Sequence, residues 1–228
     1  MTLAEFKQHN AIVFKNDDLL AQAFIHRSFI NENPRSGFEH NERLEFLGDA
    51  ILELVVTEYL YASYPHHNEG DLTAYRSALV NAVTLGQVAD SLSFNDMMKL
   101  SKGEAKDVSR ARSSILADAY EAFIGALYLD QGYEAAKGFL RTTILSKTDE
   151  VVSKNLWRDA KSFFQEKAQE YTGATPTYET IEEVGPDHAK QFTVGVFIGR
   201  ERVASGAGFS KQEAEQEAAL AALEKKGW

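Results

Sequence analysis

Through most of residues 1–150, apolar residues recur at three- and four-residue intervals, the spacing that gathers them on one side of an α-helix. This predicts helices over residues 19–29, 42–61, 72–92 and 114–129. Turn signals separate them: Asn33-Pro34-Arg35-Ser36-Gly37, Tyr64-Pro65, Asn68-Glu69-Gly70 and Gln131-Gly132. The stretch 146–155 is polar and weakly periodic, and reads as a connection. Beyond it the rhythm changes. Asp159 is placed to cap a helix that stops at Gly173. Residues 177–184, 191–198 and 202–208 read as strands, most clearly in the alternation of Phe192, Val194, Val196 and Ile198. Ser210 with Glu213 three positions on is a capping box, opening an alanine-rich helix that runs to Lys226. The expected architecture is a mostly α N-terminal domain over residues 1–150, a linker at 151–156 and a small α+β domain, ordered α-β-β-β-α, over 157–228.

Composition narrows the function classes. The chain has 228 residues, 44% of them hydrophobic and 25% charged, which excludes disorder and fibrous repeats. With no cysteine there is no disulfide framework and no thiolate–metal site. The first ten residues lack the apolar core of a signal peptide, and the longest apolar run, residues 50–56, is interrupted by Glu53. A protein of a reducing compartment with no membrane partner is expected. The formal net charge is −10, which by itself argues against a nucleic-acid partner, because an acidic surface repels phosphate unless cations or a local basic patch intervene. Only the motifs alter that expectation.

The segment 40–54, HNERLEFLGDAILEL, carries two kinds of surface. At about 100° per residue, Glu42, Glu45 and Asp49 fall within roughly 60° of one another, while Leu44, Leu47, Ile51 and Leu54 cluster opposite. A solvated acidic face on an amphipathic helix would explain three acids. Phe46 weakens that explanation, because it flanks the acidic face, where an unpartnered helix has no use for a large aromatic. The stretch 114–129 repeats the arrangement: Asp118 and Glu121 share a face, and Leu116, Phe123 and Leu127 lie on another. Gly48 in the first helix, with Ala122 and Gly125 in the second, is small enough for close backbone approach. If these helices pack side by side, Glu45, Asp49, Asp118 and Glu121 converge. Such a cluster raises its own pKa values unless something positive enters it. A hard divalent cation such as Mg²⁺ suits an all-oxygen donor set, and a metal pair about 3.5–4 Å apart serves phosphodiester hydrolysis. His26, His66 and His67 are assigned no role.

These residues carry a family resemblance. HNERLEFLGDAIL closely resembles the signature segment of bacterial ribonuclease III. Around it stand LLAQAFIHRSF at 19–29, EGDLTAYRSALV at 69–80, LSKGE at 100–104 and SSILADAYEAFIGALYLDQG at 113–132. The resemblance implies a Mg²⁺-dependent endoribonuclease, with Mn²⁺ as a workable substitute and no small-molecule cofactor. It implies that Glu45, Asp118 and Glu121 hold metal and that Asp49 and Glu121 are the catalytic acids. Glu42 and Glu69 match accessory acids near the substrate side; Glu69 is equally readable as a plain turn residue before Gly70. The family's nuclease domain is an all-helical homodimer in which an aromatic of the signature helix enters a socket on its partner, and Phe46 occupies that position. Its product is double-stranded RNA cut on both strands, with two-nucleotide 3′ overhangs, 5′-phosphates and 3′-hydroxyls. Precursor ribosomal RNA and structured messages are the implied substrates, in the cytoplasm.

The second domain resembles a double-stranded-RNA-binding domain, whose first helix and first strand–strand loop touch successive minor grooves of an A-form duplex. Gln165 and Glu166 match the helix contacts and His188 the loop contact. Lys211 matches a basic position at the start of the last helix, which faces phosphates. Here the sequence departs from pattern: Gln212 stands where a second cation is common, and Glu215 where a lysine often is. Residues 157–228 hold 9 basic and 12 acidic side chains, which implies fewer phosphate contacts and a shallower salt dependence. Three other readings remain open: a duplex-RNA-binding regulator that does not cut, a metal-dependent hydrolase of small phosphoesters, and a second domain turned to protein interaction.

Overall fold

The computed structural model describes residues 1–106, 110–155, 157, 159–186 and 190–228. The chain divides into two compact units, Met1–Trp157 and Arg158–Trp228. The first contains α1 (Leu3–His9), α2 (Asp17–Ala23), α3 (Arg27–Glu32), α4 (Glu42–Ser63), α5 (Glu69–Val80), α6 (Ala82–Ser91), α7 (Phe94–Met97), α8 (Arg110–Gln131), α9 (Tyr133–Thr143) and α10 (Thr148–Ser153). The second contains α11 (Ala160–Thr172), β1 (Thr177–Val184), β2 (Gln191–Ile198), β3 (Glu201–Gly208) and α12 (Lys211–Lys226).

Helix α8 runs through the middle of the first unit. Ala119, Tyr120, Ala122, Phe123, Ile124 and Ala126 are all fully buried, so the helix has apolar neighbours on nearly every side. Phe123 meets Phe6 edge-to-face at 5.5 Å, and Phe24 meets Phe94 at 4.9 Å, the offset geometry that aromatic quadrupoles favour. Side-chain caps start the surrounding helices: the Asn16 carboxamide accepts from the Asp18 amide, and that of Asn68 from the Asp71 amide.

Four expectations need correction. Residues 72–92 are two helices, because Asn81 takes an extended conformation (φ −73°, ψ 157°) and turns its side chain to cap α6 through the Thr84 amide. Residues 19–29 also break: Ile25 forms a parallel bridge with Lys99, and Lys99 N–H donates to the Phe24 carbonyl at 2.8 Å. Of Asn68-Glu69-Gly70 only Asn68 lies outside a helix, as the N-cap of α5. Finally, the stretch read as a linker at 151–156 begins inside α10. Thr148 and Val151 are buried there, and two inward residues in six are too few to register as a period.

In the second unit the antiparallel sheet has the order β1-β2-β3, with Glu179 opposite Gly195 and Gly195 opposite Ser205. Val194 and Val196 are buried, and Val196 packs with Phe164, Val203, Ala218 and Ala222 between sheet and helices. Gly173 ends α11 in the left-handed region (φ 67°). Ser210 Oγ accepts from the Glu213 amide, while the Glu213 carboxylate reaches the Phe209 amide at 3.0 Å, one position before the one a standard capping box uses.

Candidate active site

The acidic residues meet because α4 and α8 lie backbone against backbone. A Cβ built on Gly48 would stand 1.7 Å from the Glu121 carbonyl oxygen, and one on Gly125 would stand 2.2 Å from that of Leu44. Only hydrogen fits at either position. Glu45 and Asp49 flank Gly48 in sequence, and Glu121 lies one turn before Gly125, so the contact sets the carboxylates on the rim of a helix–helix seam.

The buried side of α4 is formed by Leu44, Gly48, Ile51, Leu52, Val55, Val56 and Leu60. That side is rotated toward the acids relative to the apolar stripe read from the sequence. Leu54, expected to pack, is therefore 54% exposed, whereas Glu45 is drawn partly inside.

Electrostatics register that position. Burial, then the neighbouring charges of Asp118, Glu42 and Asp49, push the Glu45 carboxyl up to about 7. Burial, then Asp49, Asp118, Glu45 and Glu53, push Glu121 up to about 8. Burial also raises Asp118, against an opposing pull from His26. Glu45, Asp49, Asp118 and Glu121 thus share one field. Among the described residues none of the four is salt-bridged to a lysine or arginine. Glu42 borders the group but is engaged by Arg27 at 3.3 Å and His40 at 3.7 Å.

The donor set is all oxygen, half-buried and short of positive charge, which fits a hard divalent cation. Among the described residues, no three carboxylate or imidazole side chains already close into a cation cage. The carboxylates lie along the α4–α8 seam, where burial first and mutual repulsion second raise the pKa values of Glu45 and Glu121.

Sequence reasoning missed two participants. His26 acts on Asp118 and is itself held by Ser28 Oγ, 2.8 Å from its Nδ1. Glu53, one turn beyond Asp49, adds to the field at Glu121 and is bound by Arg76 at 2.9 Å. The i, i+4 spacing of Asp49 and Glu53 was visible in sequence; the reach of His26 across the fold was not. Glu69 is not brought to the cluster. It is exposed, accepts from Thr73 Oγ1 at 3.2 Å, and lines a groove of about 480 Å³ with Thr57, Leu60, Tyr61, His67 and Arg76.

In the second unit Gln165 and Glu166 are exposed side by side on α11, along a shallow groove shared with Ser162, Gln169 and Glu170. Lys211 stands in the first turn of α12, 2.9 Å from Glu183 of β1 and above the Phe192 ring. Lys161 is paired with Glu215, Lys167 with Glu170 and Lys190 with Glu183, so four of the few cations here, Lys211 included, already have acidic partners. His188 lies outside the described residues.

Comparison with known proteins resolves what such a pair of units is. Residues 16–148 match the family model described as Ribonuclease-III-like, and residues 160–226 match the Double-stranded RNA binding motif. The chain belongs to the ribonuclease III family. It is a ribonuclease III-type endoribonuclease, and the α4–α8 cleft is its candidate active site. It is 46% identical over 220 residues to Ribonuclease 3 of Geobacillus kaustophilus, covering 96% of this chain and 89% of that one. Ribonuclease 3 of Pelotomaculum thermopropionicum is 44% identical over 223 residues, 98% of this chain and 92% of the relative. The solved nuclease domain of ribonuclease III from Campylobacter jejuni is 40% identical and superposes with a TM-score of 0.56, over 62% of this chain and 95% of that one. That structure is described as flexible in a region involved in dimer formation. Among the described residues of this ribonuclease III, no helix is long and apolar enough to cross a membrane.

Proposed function

We propose that this ribonuclease III is a Mg²⁺-dependent nuclease that cuts both strands of duplex RNA. The observation that carries the reading is the convergence of Glu45, Asp49, Asp118 and Glu121 at one seam of a chain that also bears a double-stranded-RNA-binding unit. Glu45, Asp118 and Glu121 would hold the metal, and Asp49 and Glu121 serve the reaction. Mg²⁺, or Mn²⁺ in its place, supplies positive charge against the scissile phosphate and makes water a better nucleophile near neutral pH. Asp49, at the exposed edge of the seam, orients the attacking water and accepts its proton. Half-buried Glu121 would hold the metal with a carboxylate whose proton the metal's charge would displace. Water attacks phosphorus, the bond to the 3′ oxygen breaks, and that oxygen takes up a proton. The products are a 5′-phosphate and a 3′-hydroxyl.

Cutting both strands needs two centres, which a two-fold homodimer provides. Phe46 is 82% exposed, with Tyr61 (77%) and Leu54 (54%) further along the same helix, an apolar face with nothing of its own unit to cover it. In the proposed dimer Phe46 enters the partner's socket, for which the groove beside Tyr61 and His67 is the candidate. Offset centres then leave two-nucleotide 3′ overhangs. Glu42 and Glu69 act as accessory acids, with Glu69 facing the partner rather than its own cluster. Gln165, Glu166, His188 and Lys211 dock the duplex. The substrates are precursor ribosomal RNA and structured messages, in the cytoplasm.

The test is incubation of a long RNA duplex with the protein in Mg²⁺ or in EDTA, followed by sizing and end analysis. Short duplexes with two-nucleotide 3′ overhangs, formed only with metal, are expected. Duplex retained intact in a gel-shifted complex would replace the nuclease by a binding protein.

A further inference from the structure

The packed part of the first unit extends further along the chain than its composition suggests. Helix α10 is docked on α5, with Val151 buried and Thr148 Oγ1 donating to the Leu145 carbonyl at 2.8 Å. It ends at Ser153 with Lys154 as its C-cap, and Asn155 follows in the left-handed region (φ 54°), its amide donating to the Val152 carbonyl at 3.3 Å. Asparagine accepts that conformation more readily than other non-glycine residues, and it turns the chain sharply after a helix. Two residues on, the Trp157 ring meets Tyr75 of α5 edge-to-face at 4.9 Å. Tyr75 is itself fixed: it is 2% exposed, its hydroxyl lies 2.8 Å from His67 Nδ1, and its ring packs on Tyr64. Trp157 therefore belongs to the aromatic edge of the first unit's core. Asp159, two Cα steps away, is already the N-cap of α11 in the second unit.

We propose that Trp157 is a positioning residue for cleavage: by seating on Tyr75 it pins the root of the RNA-binding unit and holds the tether between the units to two Cα steps. This rests on the duplex-cleaving reading given above. At about 3.5 Å per extended step the pinned tether reaches about 7 Å. Without the pin the chain is free from Ser153, the end of α10, to Asp159, six steps that reach roughly 21 Å. A threefold longer tether lowers the effective concentration of a linked site by about its −3/2 power, or roughly fivefold. The pin thus keeps captured duplex at high local concentration without touching RNA or metal.

The experiment uses the full chain in four forms: wild type, Trp157→Ala, Trp157→Phe, and wild type with Gly-Ser-Gly-Ser inserted after Trp157. Trp157→Ala and the insertion are expected to raise KM for a long duplex about fivefold at unchanged kcat, and Trp157→Phe to restore most of it. An unchanged KM in both, or a fall in kcat alone, overturns the proposal. The insertion leaves every packed residue in place, so a folding defect in Trp157→Ala does not blur the outcome. A second readout needs no activity. The chain has two tryptophans, so Trp228→Phe leaves Trp157 as the sole indole. Slow acrylamide quenching is expected; quenching as fast as that of free tryptophanamide overturns the anchor even if the enzyme cuts. If the anchor holds but no form cuts duplex, the functional reading fails instead.

Discussion

Gly48→Ala is the sharpest perturbation of the catalytic seam, because it adds a single methyl group and no charge. That methyl would stand 1.7 Å from the Glu121 carbonyl oxygen, 2.6 Å from its carbonyl carbon and 2.9 Å from the Gly125 nitrogen. Ordinary contact begins near 3.4 Å, and all three neighbours are backbone atoms, so no rotamer change relieves the overlap. The helices must separate by about 1.7 Å, the difference between those two distances. Overpacking of a tight core costs about 1–3 kcal/mol, and a backbone clash belongs at the upper end. For a domain of this size 3 kcal/mol lowers Tm by roughly 6–12 °C. Displacing catalytic groups by about 1 Å can cost ~100-fold in rate, so kcat should fall at least that far. Gly125→Ala, whose methyl would stand 2.2 Å from the Leu44 oxygen, should cause the same defects to a smaller degree. Calorimetry and duplex cleavage in Mg²⁺ measure both quantities, and gel shift should show RNA binding unchanged. A Gly48→Ala protein that melts within about 2 °C of wild type and cuts within fivefold would refute the seam as the source of the geometry.

Glu121→Gln should abolish cleavage yet make the metal-free protein more stable at alkaline pH. The Glu121 carboxyl is pushed up to about 8 and that of Glu45 to about 7, both from 4.5, so their contribution to stability is complete below 4.5 and lost as pH rises through those values. Melting in EDTA between about pH 5 and 9 should show the wild-type decline flattened in the variant, and parallel curves would contradict the shared field. Phe46→Ala should leave the protomer folded, since the ring is 82% exposed, while loosening the dimer. At about 1.5–3 kcal/mol per buried ring, twice per dimer, its Kd should rise roughly 10²–10⁴-fold by sedimentation, and an unchanged assembly would exclude the socket assignment. Removing residues 158–228 should weaken duplex cleavage most at physiological salt and spare it at low salt. A truncated protein inert at both would mean the units are not separable in function.

Local physics made much of this protein readable. The period of apolar residues located the long helices and strands, the caps at Asp159 and Ser210 followed from their side chains, and helical spacing placed Glu45 with Asp49 and Asp118 with Glu121. Even the close approach at Gly48 and Gly125 was legible, since small residues on two facing helices have few other uses. Depth was not. A helical repeat shows which residues share a side; it does not show how far a neighbouring helix turns that side toward the core. That rotation exposed Leu54, half-buried Glu45 and Glu121, and thereby moved their proton affinities. The break at Ile25 and the docking of Trp157 on Tyr75 likewise rest on partners dozens of residues away, beyond the reach of any local pattern, whereas the break at Asn81 is a local cap three residues from its partner Thr84. The sequence by itself determined which carboxylates this protein can bring to the α4–α8 seam. The packing of α8 through the middle of the first unit decided how strongly water is withdrawn from them, because desolvation depends on every neighbour at once and on none of them alone.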